Sequence, residues 1–278
     1  MSNISYYLDN IRLYISPKIE TYSLFSTLRE RWQNTDWSST FNKLKNKSQW
    51  VKQRQKLHNK IISDLSNEAL INSEQILKIS KMKFNTGFIP TLIIVRGQSG
   101  AGKSSFINHV LKINTGIVGP DTVRDCLKKW TVLTGKNDNQ YDLEAFFVTL
   151  WLCKKLISEK KNFTIERTFD YLEDVEILID DAKKNGYKSI YFVDIDCPLD
   201  TSISRLKLRI PGKTNPIVPK MAVIENYNRI KRSRKNWVEF IEKQKDITAI
   251  YELYSNSGNY GQFTLMLTVK NSATNRKD

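Results

Sequence analysis

Residues 91–105 read TLIIVRGQSGAGKSS. Thr91–Arg96 has the continuous apolar, β-branched pattern of a strand buried on both faces. Ser104–Leu111 then follows with helical character. A strand, then GxxxxGKS, then a helix is the arrangement of a phosphate-binding loop. It assigns Gly97, Gln98, Ser99, Gly100, Ala101, Gly102, Lys103, Ser104 and Ser105 to nucleotide binding. Lys103 reaches the β- and γ-phosphates of ATP, and the Ser104 hydroxyl holds Mg²⁺. A chance match somewhere in a chain of this length is on the order of 1% from residue frequencies.

Outward from this loop, strand and helix patterns alternate. Ile117–Val118 is a short strand ending near Asp121, and Tyr141–Lys160 is a long amphipathic helix. Phe163–Glu166 is a strand. Asp170 with Glu173 has the form of a capping box for a helix that ends at Gly186. Ser189–Ile195 is the next strand, and Pro198 opens the next helix. Ala249–Tyr254 and Gln262–Val269 read as strands near the end, with a Ser/Asn/Gly turn between them. The alternation predicts an α/β fold, a P-loop kinase three-layer sandwich with a mostly parallel sheet, preceded by a helical N-terminal extension. Residues 1–86 form the basic helical region and 87–278 the kinase domain, with Asn85, Gly87 and Pro90 marking the boundary. In the N-terminal region Ile19, Tyr22, Phe25, Leu28 and Trp32 recur at helical spacing. Leu57, Ile61 and Leu65 make a second stripe that suits a core-facing surface.

Guanine specificity of the NKxD type is absent, as is an apolar run ending in Asp-Glu. A small kinase that transfers phosphoryl from ATP to an acceptor hydroxyl fits best, with a non-enzymatic ATP-dependent binding module as the alternative. Strand C-termini converge beside the loop in a parallel sheet. Asp121, eighteen residues after Lys103, therefore either accepts the acceptor hydroxyl's proton or caps a helix starting at Thr122. Arg124, one turn on, suits an anionic group of the acceptor. Glu166 and Thr168 end the next strand and either orient the acceptor or serve as strand-end polar groups. Arg205 and Arg209 are four apart and share one helix face, ahead of IPGKTNP with Lys213. They form a lid over ATP or a basic solvated helix end.

The 278 residues carry a net charge of +15. Residues 1–90 have 14 Lys and Arg against 7 Asp and Glu, residues 91–200 have 15 against 16, and residues 201–278 have 15 against 6. Basic flanks around a near-neutral centre suit nucleic acid, an acidic protein or an anionic membrane, or simply a solvated surface. Cys126, Cys153 and Cys197 lack pairing or metal spacing and read as reduced thiols. Neither a signal peptide nor an apolar run long enough to span a bilayer is visible, which suits the cytoplasm, the cell's own or another's after delivery.

GQSGAGKSS, GPDTVRD, NFTIERTF, GYKSIYFVDIDCP and SRLKLR, in that order over roughly residues 90–255, resemble the zeta toxin family. The resemblance implies an ATP-dependent kinase that phosphorylates a sugar hydroxyl of UDP-N-acetylglucosamine and is held inactive by a small antitoxin. It implies Asp121 as base, Glu166 and Thr168 as the family's Glu-Gly-Thr motif with Arg167 in place of glycine, and Arg205 as a lid arginine. Pro216 stands where the family carries a second arginine. The related bacteriophage-type polynucleotide kinases place arginines four apart, followed by glycine and Val-Pro. SRLKLRIPGKTNPIVPK is similar to that pattern, and Asp121 with Arg124 to their acceptor-side pair. A nucleotide sugar and a nucleic-acid 5′ end are therefore both implied as acceptors.

Overall fold

A computed structural model describes residues 49–85, 90–130, 142–169, 171–209, 218–257 and 262–271. The Ile19–Trp32 stripe, Gly87, Tyr141, Asp170, the 210–216 lid with Lys213 and the chain end lie outside the described residues.

β1 (Thr91–Arg96) is buried along its whole length. It lies between β3 (Phe163–Arg167) and β4 (Ser189–Asp196) and runs parallel to both. Such a strand has no solvent-facing side, which is why its sequence is a continuous apolar run. With β2 (Ile117–Val118), β5 (Thr248–Ser255) and β6 (Thr264–Lys270), the sheet order is β2-β3-β1-β4-β5-β6. β6 alone among the described strands pairs antiparallel, on β5. The mostly parallel α/β sheet expected from the sequence is the observed fold.

The helices are α1 (Gln49–Ile71), α2 (Ser73–Phe84), α3 (Lys103–His109) and α4 (Pro120–Trp130). After them come α5 (Asp142–Ser158), α6 (Glu173–Lys184), α7 (Leu199–Lys207) and α8 (Lys220–Glu242). Alternate strand residues feed two cores. Leu92 and Ile94 pack with Val123, Leu152, Ile179 and Trp237, from α4, α5, α6 and α8. Ile93 and Val95 pack on the other face with Phe106 of α3 and Ile76 of α2. The predicted stripe is real: Ile61 and Leu65 of α1 lie in the first core, and Leu57 packs against it. Helices of the expected N-terminal extension thus share the cores of the sheet.

Two local expectations are corrected. α6 has Leu172 as its N-cap, without a side-chain cap bond, and the capping box expected from Asp170 and Glu173 involves a residue outside the described ones. α4 opens at Pro120, whose fixed φ suits a first helical position, so Asp121 lies inside the first turn and does not precede Thr122 as a cap. α7 ends at Lys207, and Arg209 lies beyond it. The backbone N–H groups of Leu208 and Arg209 bond three residues back, to Arg205 O and Leu206 O, so the last turn tightens, and Arg205 and Arg209 both line one cleft.

Candidate active site

β1 delivers Gly97–Gly102 to the carboxyl edge of the sheet, where α3 begins. Gly100 and Gly102 have φ of 83° and 96°. A Cβ at Gly100 would lie 2.6 Å from Ser202 O, and one at Gly102 would lie 2.3 Å from Asn256 Nδ2. Glycine is required at both points, by conformation and by space.

The loop is held from behind. The fully buried Gln98 side chain donates to Cys197 O at 2.6 Å and to Ser202 Oγ at 3.1 Å. Asn256, just past β5, donates through Nδ2 to Ala101 O at 2.7 Å. Its Oδ1 accepts from Arg205 Nη2 at 3.2 Å, while Arg205 Nη1 donates to Gly100 O at 3.4 Å. Arg205 therefore braces the loop backbone as well as lining the cleft. Gly97, Gln98 and Ala101 form the rear of the loop; Ser99, Gly100, Gly102, Lys103, Ser104 and Ser105 face the cavity.

Lys103 Nζ donates to Gly97 O at 2.9 Å and Gln98 O at 3.2 Å. Burial pushes its ammonium below the ordinary lysine range, opposed by the charges of Glu166 and Asp121. The Ser104 hydroxyl donates to Glu166 Oε1 at 3.1 Å. Burial pushes the Glu166 carboxyl up, and Lys103 and the Ser104 hydrogen bond pull it back. Across the cavity, Arg124 Nη1 donates to Asp121 Oδ1 at 2.6 Å. The Arg124 side chain is nearly buried and that of Asp121 is half exposed. Arg209 is lowered by burial and favoured as a cation by Asp121 and Glu166. Lys103, Glu166, Asp121 and Arg209 thus form one electrostatic group. Arg167 also lines the cleft; its guanidinium lies 4.4 Å from the Phe146 ring centroid and pairs with Asp174 at 3.3 Å.

One cleft of about 1080 Å³ is lined by the cavity-facing loop residues, Asp121, Arg124, Glu166, Arg205, Arg209 and Thr168. It also takes in residues that sequence reasoning missed: Leu65 and Glu68 of α1, Asp125, Cys126 and Phe146. Asn256 was missed as well; its only local signal is a polar residue directly after an apolar strand. The cradle fits a polyphosphate, with glycines where side chains would intrude and a lysine beneath. The Ser104 hydroxyl and Glu166 carboxylate are hard oxygen donors of the kind that suits Mg²⁺. Among the described residues no group of three or more His, Cys, Asp or Glu could hold a metal alone. Mg²⁺ here would therefore need phosphate oxygens as well.

A model of the zeta toxin family matches residues 73–259. This chain belongs to the zeta toxin family. The match makes it a P-loop kinase-like toxin by family, and the fold agrees. The AvrRxo1-ORF1:-ORF2 complex is similar with a TM-score of 0.69 and 20% identity, over 85% of this chain and 73% of that one. The AvrRxo1-ORF1:-ORF2 structure with ATP gives 0.66 and 21%, over 78% and 67%. A structure of the PezAT toxin–antitoxin system of Streptococcus pneumoniae gives 0.47 and 17%, over 70% and 79%. No curated protein sequence matches this chain. No helix among the described residues of this zeta-family chain is long and apolar enough to cross a membrane.

Proposed function

We propose that the protein transfers the γ-phosphoryl group of ATP, with Mg²⁺, to a hydroxyl of a nucleotide sugar or another small nucleotide-type acceptor. The observation that carries this is a cleft of about 1080 Å³ that both the phosphate loop and the Asp121–Arg124 pair line. That volume is at the upper end for a ligand pocket and suits two nucleotide-sized molecules. ATP supplies the phosphoryl group when bound. Lys103 exchanges its bonds to the Gly97 and Gln98 carbonyls for phosphate oxygens. Ser104, backed by Glu166, holds Mg²⁺. Asp121 takes the proton from the attacking hydroxyl, and Arg124 keeps that carboxylate oriented. Lys103 and Arg209 offset the negative charge on the transferring group. Thr168 and Arg124 position the acceptor. An antitoxin-like protein, acidic to match the +15 charge, is the proposed inhibitor.

A second acceptor, a 5′-hydroxyl polynucleotide end, is favoured by the Asp121–Arg124 pair together with the basic flanks. Labelled ATP offered with UDP-sugars and with 5′-hydroxyl oligonucleotides separates the two. Transfer to a UDP-sugar or another small nucleotide is expected; transfer to oligonucleotide alone, weakening steeply with salt, would replace the first acceptor by the second. Asp121→Asn is expected to lower transfer by at least about 10²-fold while leaving the Kd for ATP within about twofold. A wild-type rate in that variant would remove Asp121 from the chemistry.

A further inference from the structure

We infer that Glu68, on a helix outside the part of the chain that the family model matches, is a specificity-determining residue for the acceptor in this cleft. This rests on the small-acceptor reading above. The family match starts at residue 73, after the last residue of α1. Yet Leu65 and Glu68 of α1 line the same cavity as Ile117, Asp121, Arg124, Asp125 and Thr168. Leu65 belongs to the core and forms apolar wall, whereas Glu68 is exposed and brings a carboxylate.

The position of α1 at the cleft is fixed by close contacts with the segment that leads into β2. Gly116 has φ of 61°, and a Cβ there would lie 2.4 Å from Glu68 O and 2.7 Å from Ala69 N. The backbone of Glu68 itself therefore rests on a point that only glycine leaves open. The Asn72 side-chain amide donates to Thr115 O, and Gln75 Nε2 donates to Leu111 O at 2.7 Å. Three consecutive anchors hold the end of α1 and the start of α2 against the segment 111–116.

The chemistry of this wall selects an acceptor. Glu68 and Asp125 are both exposed and acidic, and both line the cleft. Carboxylates accept hydrogen bonds from hydroxyl and N–H groups, as sugars and nucleobases present them, and they repel phosphate. A short acceptor with sugar hydroxyls fits beside them. A polynucleotide carries a phosphate at every step and meets these carboxylates repeatedly, whereas a nucleotide sugar carries its charge in one diphosphate that Arg124 or Arg209 of the same cleft can pair.

The experiment uses the whole 278-residue chain with labelled ATP and two acceptor probes, a panel of UDP-sugars and other small nucleotides and a 5′-hydroxyl oligoribonucleotide. Glu68→Ala is expected to raise the acceptor KM about tenfold, with the KM for ATP within about twofold. Glu68→Lys is expected to raise the small-acceptor KM further and to strengthen oligonucleotide binding. Gly116→Ala, which displaces the Glu68 backbone, is expected to raise the acceptor KM in the same way, with folding checked by thermal melting. An unchanged acceptor KM in Glu68→Ala, with wild-type transfer to a small acceptor intact, overturns the role of Glu68 and leaves the proposed function standing. Transfer by wild type to the oligonucleotide alone overturns both. Transfer to neither probe removes the acceptor reading, and the inference with it.

Discussion

Lys103 and Glu166 are opposite charges placed where burial disfavours both. The charge of each is the largest influence that favours the other as an ion, which couples their titrations. Glu166→Gln removes the charge that opposes the burial of Lys103, so the lysine loses its proton at lower pH. The expected result is an alkaline limb of the pH–rate profile displaced to lower pH than in the wild type. A limb that stays in place or moves up would show that Glu166 does not sustain the lysine charge. Cys153 is the opposite case, a buried group that stays neutral: burial pushes its thiol up to about 12. Its folded-state value lies above the unfolded one, so its contribution to stability is complete below the ordinary thiol range, about 8.5, and is lost as pH rises from there toward the folded value. Half-buried Cys126, which lines the cleft, is expected to be alkylated in the native protein, and Cys153 and Cys197 only on unfolding. Mass spectrometry after a timed alkylation distinguishes the three.

At the scale of elements, the phosphate loop is braced by two segments distant in sequence. Asn256 follows β5 and reaches Ala101 O and Arg205 together, and its own N–H donates to Asp196 O at 2.7 Å. Asn256→Ala leaves the Ala101 carbonyl and one Arg205 nitrogen without these partners and opens space beside Gly102. The expected cost is about 1–3 kcal/mol in stability together with a raised KM for ATP, measured by denaturation and by steady-state kinetics. A stability loss with no change in KM would confine Asn256 to the fold. These contacts also mark where the sequence stops being legible. β1, β3 and β4 are readable because burial on both faces forces a continuous apolar run, and the loop is readable because its glycines are required locally. The bracing by Asn256 and the lining of one cleft by both Glu68 and Asp121 are not readable, because each joins residues far apart in sequence. The orientation of β6 was equally hidden, since an apolar run does not encode direction. Arg209 lies past the end of α7 and not on it as expected, because spacing of four does not say where a helix stops, yet Arg205 and Arg209 line one cleft.

Across the whole molecule, the strand that carries the phosphate loop is tied to α8 by an ionic chain. Arg96, the last residue of β1, is fully buried. Its Nε pairs with Asp194 Oδ2 at 3.3 Å, Nη2 donates to Ile230 O at 3.1 Å, and the guanidinium lies 4.1 Å from the Trp237 ring centroid. Tyr251 donates to Asp194 Oδ2 at 2.7 Å. Arg234 of α8 bridges Asp194 at 3.2 Å and Asp196 at 3.0 Å, and Lys231 reaches Asp196 at 2.8 Å. Such a chain adds little over an apolar packing of the same shape, but breaking one member strands a buried charge. Burial works against the Asp196 carboxylate, yet the bonds from Lys231 and Arg234 hold it below its ordinary range. A depressed folded-state value adds stability that is present above the unfolded carboxylate range, about 3.9, and is lost as pH falls through the folded value. Acid should therefore loosen α8 from the sheet. Asp194→Asn is expected to destabilise by about 3 kcal/mol, because Arg96 keeps its charge at zero exposure and loses its counter-ion. Lys231→Ala, at the exposed end of the chain, is expected to cost below about 1 kcal/mol. Urea denaturation at neutral pH separates the two: a lower midpoint with an unchanged slope in the first variant, and a near-wild-type midpoint in the second. Equal midpoints in both would mean that Arg234 and Tyr251 compensate fully, and that the chain does not tie the loop strand to α8.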